Sequence, residues 1–252
     1  MEAYTFICNN YKEHDEIILI GYSRGAFAVR CLVDLIDKVG LLTKMGLFHL
    51  WRVYDLWSRE EVEFGDLDPH RRNGVPIKAC VLWDTVNSTG SLKFVHSVGR
   101  GRVDNCFQAL ALHEHRKAFL PIVLQKPLGV EGGNLEQCWF VGYHGDIGGG
   151  VKDDALAHFA LAWVMSRLKY FVDLDLISFW EHEMGTSSWK LREDLGKTPT
   201  FHPAKNLFVE VILTENFTRL WEHLRSWTYG FYATYFPSLG VSSPKTATTG
   251  LG

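Results

Sequence analysis

The sequence has no strong excess of either charge and no long apolar segment. Its 252 residues carry a formal net charge of −3, so we expect no basic field that would attract nucleic acid as a partner. No window holds the roughly 18 uninterrupted apolar residues of a membrane-spanning helix. The chain also begins without a leader of basic and apolar residues. These absences predict a soluble, cytoplasmic protein.

Paired cysteines are missing as well. The chain has five cysteines, none of them in a CxxC pair, and an odd, scattered set does not indicate a disulfide framework or a zinc site. Four of them lie in apolar runs, so we expect buried free thiols in a reducing compartment. These residues are Cys8, Cys31, Cys80, Cys106 and Cys138.

Aliphatic runs alternate along the chain with segments of helical periodicity. Residues 1–13 have apolar positions at helical spacing, and residues 17–20 form a continuous aliphatic run typical of a strand covered on both faces. From Arg24 the helical spacing returns and continues to Gly40, a residue suited to ending a helix. This order predicts an α/β fold with a doubly wound, mostly parallel sheet.

Further strands are predicted downstream. Residues 77–83 and 137–143 are apolar runs that lead into segments rich in turn-forming residues. Residues 119–125 and 208–213 are additional candidates, the first weakened by Pro121. The sheet is therefore expected to contain several strands separated by helices.

The C-terminal part has a different pattern. From about Asp154 the chain is mostly helical and aromatic in character, notably in residues 158–172 and 217–236. The last dozen residues are small and polar, which is typical of disorder. We expect one domain over residues 1–240, with the sheet and motifs in 1–150 and a helical region in 151–240, followed by a disordered tail in 241–252.

The segment GYSRG at residues 21–25 places a Gly-x-Ser-x-Gly pattern between a predicted strand and a predicted helix. In this context the pattern is typical of a sharp turn that presents the serine hydroxyl at the carboxyl edge of a sheet. Gly21 and Gly25 allow the strand and helix to approach closely, and the N–H of Arg24 can stabilise an oxyanion. We predict that Ser23 is a nucleophile; the alternative is a residue that only caps the helix.

A serine nucleophile needs a base and an orienting carboxylate. His144 follows a predicted strand in a glycine-rich loop, and Asp84 follows another predicted strand. Because parallel strands end at one sheet edge, and because the order serine, acid, histidine is that of α/β-hydrolases, we predict these roles for Asp84 and His144. The alternatives are a turn-capping aspartate and an ordinary loop histidine. Asp146 is a rival acid, for which we expect a supporting role in the loop.

The segment His113-Glu114-His115-Arg116 contains residue types that bind metals. On a helix, residues two apart point to different sides, and no third ligand follows at metal-site spacing. We therefore expect no metal and no cofactor, and a structural cluster in which Arg116 pairs with a carboxylate. A metal-dependent hydrolase that uses His113 and His115 stays open as an alternative.

Four segments together resemble a known family: GYSRGAFAVRCL, VLWDTVNSTGS, ALHEHRKAFLPI and QCWFVGYHGDIGGG. They are similar to a fungal and bacterial family of α/β-hydrolase domains related to the catalytic domain of type VI secretion phospholipase effectors. The family pattern has a GxSRGA elbow, a WDTVGS-like segment, an ALxEHR helix and a WFxGxHxDxGGG loop. Its residues fall here on Ser23, Asp84, 114–116, His144 and Asp146. The resemblance implies a small-molecule or lipid ester substrate. The aromatic run at residues 227–236 suits a lipid-surface contact, which makes peripheral membrane contact one candidate; a place in the buried core is the other.

The sequence differs from the family at its start. Family members have further strands and a CDGTW-like motif upstream, whereas this sequence begins on the helix before the nucleophile strand. We expect a partial sheet with an unpaired central strand, and only the Arg24 N–H of the usual two oxyanion donors. Two functions follow as candidates. One is a serine hydrolase that uses Ser23, His144 and Asp84 and forms an acyl-enzyme; the other is an inactive scaffold or truncated fragment.

Overall fold

The computed structural model describes residues 1–61, 65–86, 103–125, 133–149, 155–171, 208–214 and 231–236. Its helices are α1 (Glu2–Asn10), α2 (Arg24–Val39), α3 (Leu50–Ser58), α4 (His144–Gly148) and α5 (Ala155–Leu168). Its strands are β1 (Glu16–Tyr22), β2 (Leu41–Leu42), β3 (Arg71–Arg72), β4 (Ile77–Trp83), β5 (Val103–Ala111), β6 (Asn134–Phe140), β7 (Phe208–Thr214) and β8 (Phe231–Phe236). Helices and strands alternate along most of these residues, so the predicted α/β class is confirmed.

A six-stranded sheet in the order β6-β5-β4-β1-β7-β8 forms the centre of the molecule. Strands β6, β5, β4 and β1 run parallel to one another, β7 is antiparallel to β1, and β8 is parallel to β7. The predicted mostly parallel sheet is therefore confirmed. Because four neighbouring strands point the same way, the segments that follow them meet at one side of the sheet, here called the carboxyl edge.

Strand β1 lies inside the sheet and is paired on both sides. It pairs with β4 on one side, and with β7 from Glu16 opposite Thr214 to Tyr22 opposite Phe208 on the other. The expectation that this strand would be an unpaired edge is wrong, because a segment far downstream in the chain supplies the missing neighbour. The predicted strand at 208–213 is confirmed.

Apolar side chains pack on both faces of the sheet. Ile17 and Leu19 of β1 pack with residues of α1, α2 and α3 on one face. Ile18 and Ile20 pack with residues of α5 on the other. All four side chains are at most 1% exposed, which explains why this strand is aliphatic at successive positions rather than at alternate ones.

Several local predictions agree with the structure. The helix predicted at 1–13 is α1, and the helix predicted from Arg24 is α2, which ends directly before Gly40. The strand predicted at 77–83 is β4. The strand predicted at 137–143 is β6, which begins and ends earlier, at Asn134 and Phe140.

The sequence pattern does not predict β5. Asp104, Asn105 and Gln108 interrupt its apolar run, and the family resemblance implied a helix over the ALHEHR segment. In the structure β5 continues to Ala111, and residues 112–116 form no helix, so that expectation is wrong. Gln108 is fully buried. The fold tolerates this polar side chain because it donates to the carbonyl of Ile122 and accepts from the N–H of Leu124.

Two weaker expectations also need correction. Residues 119–125 form no strand: Phe119 ends a short 3-10 helix, and only position 125 makes an isolated β-bridge. Pro121 cannot donate to a ladder, and the N–H of Ile122 donates to the carbonyl of Thr85 just beyond β4. The helical interpretation of 217–236 is wrong for its last six residues, which form β8. The aromatic and β-branched residues of that segment favour a strand. The rest of 217–236 and the predicted tail at 241–252 lie outside the described residues.

All five cysteines are free thiols, and Cys8, Cys80 and Cys106 are buried. Burial raises the pKa of the Cys8 and Cys31 thiols to about 12, so both are protonated at neutral pH and act as small apolar side chains. Within the described residues, no helix has the length and apolar character needed to cross a membrane.

Candidate active site

Ser23 occupies the sharp turn between β1 and α2. Its backbone has φ 59° and ψ −123°, a conformation that residues other than glycine rarely adopt. The N–H of Ser23 donates to the carbonyl of Trp83 at 2.9 Å, and its carbonyl accepts from the N–H of Phe27 at 3.2 Å. Contacts to the neighbouring strand and to the following helix therefore hold the strained residue at the carboxyl edge.

The glycines around Ser23 allow this tight geometry. A Cβ atom at Gly21 would lie 2.7 Å from the backbone nitrogen of Ala26 and from the carbonyl of Gly25, so a larger residue would force β1 and α2 apart. Arg24 is the first residue of α2. Its N–H has no acceptor within the helix and lies at the positive end of the helix dipole, as an oxyanion donor requires.

Asp84 directly follows β4 and is held by the neighbouring strand β5. Its backbone has a φ of 44°, and its N–H donates to the carbonyl of Ala109 at 2.8 Å. The side-chain Oδ1 accepts from the N–H of Ala111 at 2.8 Å. The carboxylate is fully buried, so its second oxygen, Oδ2, has a fixed direction.

His144 connects these two residues. Its Nδ1 lies 2.6 Å from Oδ2 of Asp84, and its Nε2 lies 2.7 Å from Oγ of Ser23. In the tautomer with a hydrogen on Nδ1, that N–H donates to the carboxylate and Nε2 accepts from the serine hydroxyl. The structure thus brings together the three residues that the sequence singled out, although they are separated by 60 or more positions in the chain.

Tyr22 and Phe119 enclose the imidazole. The Tyr22 ring stacks on the ring of His144 with centroids 4.8 Å apart, and the Tyr22 hydroxyl donates to the His144 carbonyl at 3.1 Å. The Phe119 ring lies 5.2 Å from the imidazole, centroid to centroid. Burial raises the pKa of Tyr22 far above its usual value, so its hydroxyl keeps its proton. Sequence reasoning missed both residues; the position of Tyr22 directly before the serine was the available signal.

The loop that carries His144 is close-packed at Gly148. A Cβ atom there would lie 2.2 Å from the ring of Tyr22, so only glycine lets α4 pack against this side chain. Asp146 lies in the first turn of α4, where its Oδ2 accepts from the N–H of Tyr143 at 2.7 Å. The carboxylate at the imidazole is that of Asp84, not that of Asp146.

The segment 113–116 packs beside this loop. Arg116 donates to Glu114 through Nη2 at 2.6 Å and through Nε at 2.9 Å, which confirms the predicted pairing of Arg116 with a carboxylate. His113 Nδ1 accepts from the N–H of Gly142 at 3.2 Å. Among the residues that the structure describes, no three His, Cys, Asp or Glu side chains are grouped to hold a metal ion.

Glu114 is a buried carboxylate whose pKa is shifted by its contacts at this edge. Burial opposes its ionisation, but the hydrogen bonds from Arg116 and from the N–H of His144 lower its pKa to about 2. Glu114 is therefore charged at neutral pH. Sequence reasoning assigned this carboxylate only to a structural cluster, and its link to His144 depends on tertiary contacts.

An imidazole that is hydrogen-bonded to a serine hydroxyl and to a buried carboxylate can take the serine proton as the oxygen attacks an electrophilic carbonyl. Residues 1–167, which include all three, match the family model described as T6SS, Phospholipase effector Tle1-like, catalytic domain. The chain belongs to this family. The resemblance seen in the sequence is thereby confirmed, and membership of the Tle1-like family supports a hydrolase of the lipase or phospholipase type.

An uncharacterized protein of Saccharomyces cerevisiae (strain ATCC 204508 / S288c) is 32% identical to the chain over an alignment of 128 residues; the match covers 45% of the chain and 18% of that protein. The chain therefore matches less than a fifth of the length of this relative. No solved structure matches the chain.

Proposed function

We propose that the chain is a serine ester hydrolase of the α/β-hydrolase type that cleaves carboxylic esters, including the acyl esters of phospholipids. The observation that carries the proposal is the continuous set of contacts from Asp84 through His144 to Ser23, at 2.6 and 2.7 Å. The strained backbone at Ser23 supports it, because such strain is concentrated at functional sites. Membership of the Tle1-like family supports a lipid as the substrate class.

In the proposed mechanism Oγ of Ser23 attacks the ester carbonyl carbon while Nε2 of His144 takes the hydroxyl proton. Asp84 keeps the imidazole oriented and stabilises the imidazolium. The backbone N–H of Arg24 donates to the oxyanion of the tetrahedral intermediate, and a donor of this kind contributes on the order of 100- to 1000-fold in turnover. His144 then returns the proton to the leaving alcohol, which leaves an acyl group on Ser23.

The second half of the proposed reaction uses the same residues. Water donates a proton to Nε2 of His144 and attacks the acyl carbonyl, and the second tetrahedral intermediate collapses with return of the proton to Oγ of Ser23. The products are a carboxylic acid and the free serine. No metal ion and no cofactor takes part in these steps.

A fluorophosphonate probe tests the proposal. We expect the probe to label the wild-type protein at Ser23, Ser23→Ala to abolish labelling, and His144→Ala to slow it strongly. Ser58→Ala is the matched control, since this serine lies at the end of α3 and its hydroxyl donates to the carbonyl of Asp55; its labelling should equal that of the wild type. Release of fatty acid from phosphatidylcholine vesicles, measured on the same variants, tests the lipid substrate.

Two other results would overturn the proposal. A folded wild-type protein that neither labels nor hydrolyses p-nitrophenyl butyrate would favour the inactive scaffold. Hydrolysis that is lost on addition of a chelator and unchanged in Ser23→Ala would favour a metal-dependent hydrolase built on His113 and His115.

A further inference from the structure

The main chain of His144 is held at both of its polar groups. Its N–H donates to Oε2 of Glu114 at 3.3 Å, and its carbonyl accepts from the hydroxyl of Tyr22 at 3.1 Å. The imidazole makes its own contacts to Ser23 and Asp84, but a side chain reaches them only if its Cα atom is correctly placed. The groups that bind the backbone of His144 therefore help to determine where Nε2 lies.

The carboxylate of Glu114 is built to be rigid. Its side chain is fully buried, and it accepts from Nη2 and Nε of Arg116 at 2.6 and 2.9 Å and from the N–H groups of His115 and Arg116 at 3.0 and 2.8 Å. A two-point contact with a planar guanidinium fixes the orientation of a carboxylate. Since a buried carboxylate is costly unless its oxygens are satisfied, this group has little freedom to move.

Glu114 follows the end of the strand that also orients Asp84. The N–H of Ala111, the last residue of β5, donates to Oδ1 of Asp84, and Glu114 lies three residues later. One short segment thus binds the side chain of the acid and the main chain of the histidine. The same segment contacts the imidazole indirectly, because the Arg116 guanidinium lies 4.3 Å from the centre of the Phe119 ring, which faces His144.

We propose that Glu114 is a positioning residue whose carboxylate, oriented by Arg116, holds the main chain of His144 so that the imidazole lies between Ser23 and Asp84. The inference deepens the proposed hydrolase function and rests on it. The pKa of Glu114 is about 2, so the carboxylate stays charged over the pH range in which an ester hydrolase works. A displacement of the base by about 1 Å can cost on the order of 100-fold in rate.

The test uses Glu114→Gln, which keeps the size of the side chain and removes its charge. We expect kcat for p-nitrophenyl butyrate to fall by about 10- to 100-fold with KM changed by less than about twofold, because the substrate contacts are untouched while the base is displaced. Glu136→Gln is the control for loss of a carboxylate paired with arginine: Glu136 accepts from Nε of Arg167 at 2.7 Å, in a more exposed pair between β6 and α5. That variant should retain wild-type kcat.

A proton NMR measurement gives a second readout that does not require activity. The Nδ1–H of His144, bonded to Asp84, should give a downfield resonance that is absent in Asp84→Asn. We expect Glu114→Gln to broaden or shift this resonance while the circular dichroism spectrum stays that of the wild type. Arg116→Gln, a change at a partly exposed side chain, should give the same effect more weakly and serves if Glu114→Gln does not fold.

The outcomes separate this inference from the proposed function. Wild-type kcat and an unchanged resonance in both variants would overturn the positioning role and leave the hydrolase intact. An inactive wild type whose resonance is nevertheless broadened or shifted in Glu114→Gln would support the positioning role and count against the hydrolase. Absence of the resonance in the wild type itself would overturn the inference, as would a fall in stability without any change in kcat.

Discussion

Leu19 and Ser23 lie four residues apart, in β1 and in the turn that follows it, yet their surroundings differ in polarity and backbone geometry. Leu19 sits in the regular, apolar interior of the sheet and is fully buried among other hydrophobic side chains. Ser23 lies at the carboxyl edge with a positive φ, beside the buried polar residues Asp84 and His144. The interior supplies the stability that allows the edge to hold strain and buried charge.

Positive φ by itself does not mark the edge. His14 and Glu60 also have positive φ, but both are exposed in turns. Ser23 and Asp84 combine a positive φ with burial and with hydrogen bonds to neighbouring strands. Strain that the surrounding structure enforces at a buried polar residue is the more specific indication of function.

The largest expected effects contrast a residue inside β1 with the residue that directly follows this strand. Leu19→Ala should lower the free energy of unfolding by about 2–5 kcal/mol, because it leaves a cavity in the interior, while kcat per folded molecule stays that of the wild type. Ser23→Ala should abolish hydrolysis and change the free energy of unfolding by less than about 1 kcal/mol. Urea unfolding and p-nitrophenyl butyrate hydrolysis measure both quantities. A Leu19→Ala protein that keeps its stability but loses kcat would contradict the view that the sheet interior supplies stability and the carboxyl edge supplies activity.

A smaller effect on stability and kcat is expected for a substitution in α4, where this helix packs against Tyr22 at the carboxyl edge. Gly148→Ala should cost about 1–3 kcal/mol of stability through overpacking, and it should also lower kcat, because α4 must move away from Tyr22 and carries His144 with it. Thermal unfolding and steady-state kinetics report the two effects. The control is a double-mutant cycle with Tyr22→Ala: removal of the ring should make the cost of Gly148→Ala markedly smaller. Additive costs would show that the ring is not what glycine accommodates.

The smallest expected effect is a pH dependence from Glu114. Its pKa falls from 4.5 in the unfolded chain to about 2 in the folded protein, so the unfolded state takes up the proton first as the pH falls. The stabilisation of the folded state by the charged Glu114 is complete above about pH 4.5 and is lost progressively towards pH 2. Because Arg116 is partly exposed to solvent, we expect a loss of only about 1 kcal/mol.

Urea unfolding at a series of pH values, compared between the wild type and Glu114→Gln, isolates this contribution. The other titrating groups are common to both proteins and cancel in the difference. The wild type should lose more stability than the variant between pH 5 and pH 3. Parallel curves would show that the pair with Arg116 does not stabilise the folded state.

Much of the molecule was predictable because local patterns report which faces of an element are apolar. The aliphatic run at 17–20 and the helical spacing after Arg24 led to the bounds of β1 and α2, and the turn between them identified Ser23 as a candidate. The β5 strand escaped prediction because Gln108 looks polar in the sequence, whereas the fold satisfies its amide with backbone groups of 122–124. Satisfaction of a buried polar group is a property of the folded chain.

By itself, the sequence determined the α/β class, the elbow at Ser23 and the polar residues that follow the predicted strands, since each depends on neighbours within a few positions. Only the tertiary structure decided that β7 pairs with β1, that Asp84 rather than Asp146 faces His144, and that Glu114 and Tyr22 hold the main chain of the histidine. The physical reason is that strand pairing and hydrogen bonding join groups far apart in the chain, and local periodicity carries no information about such partners.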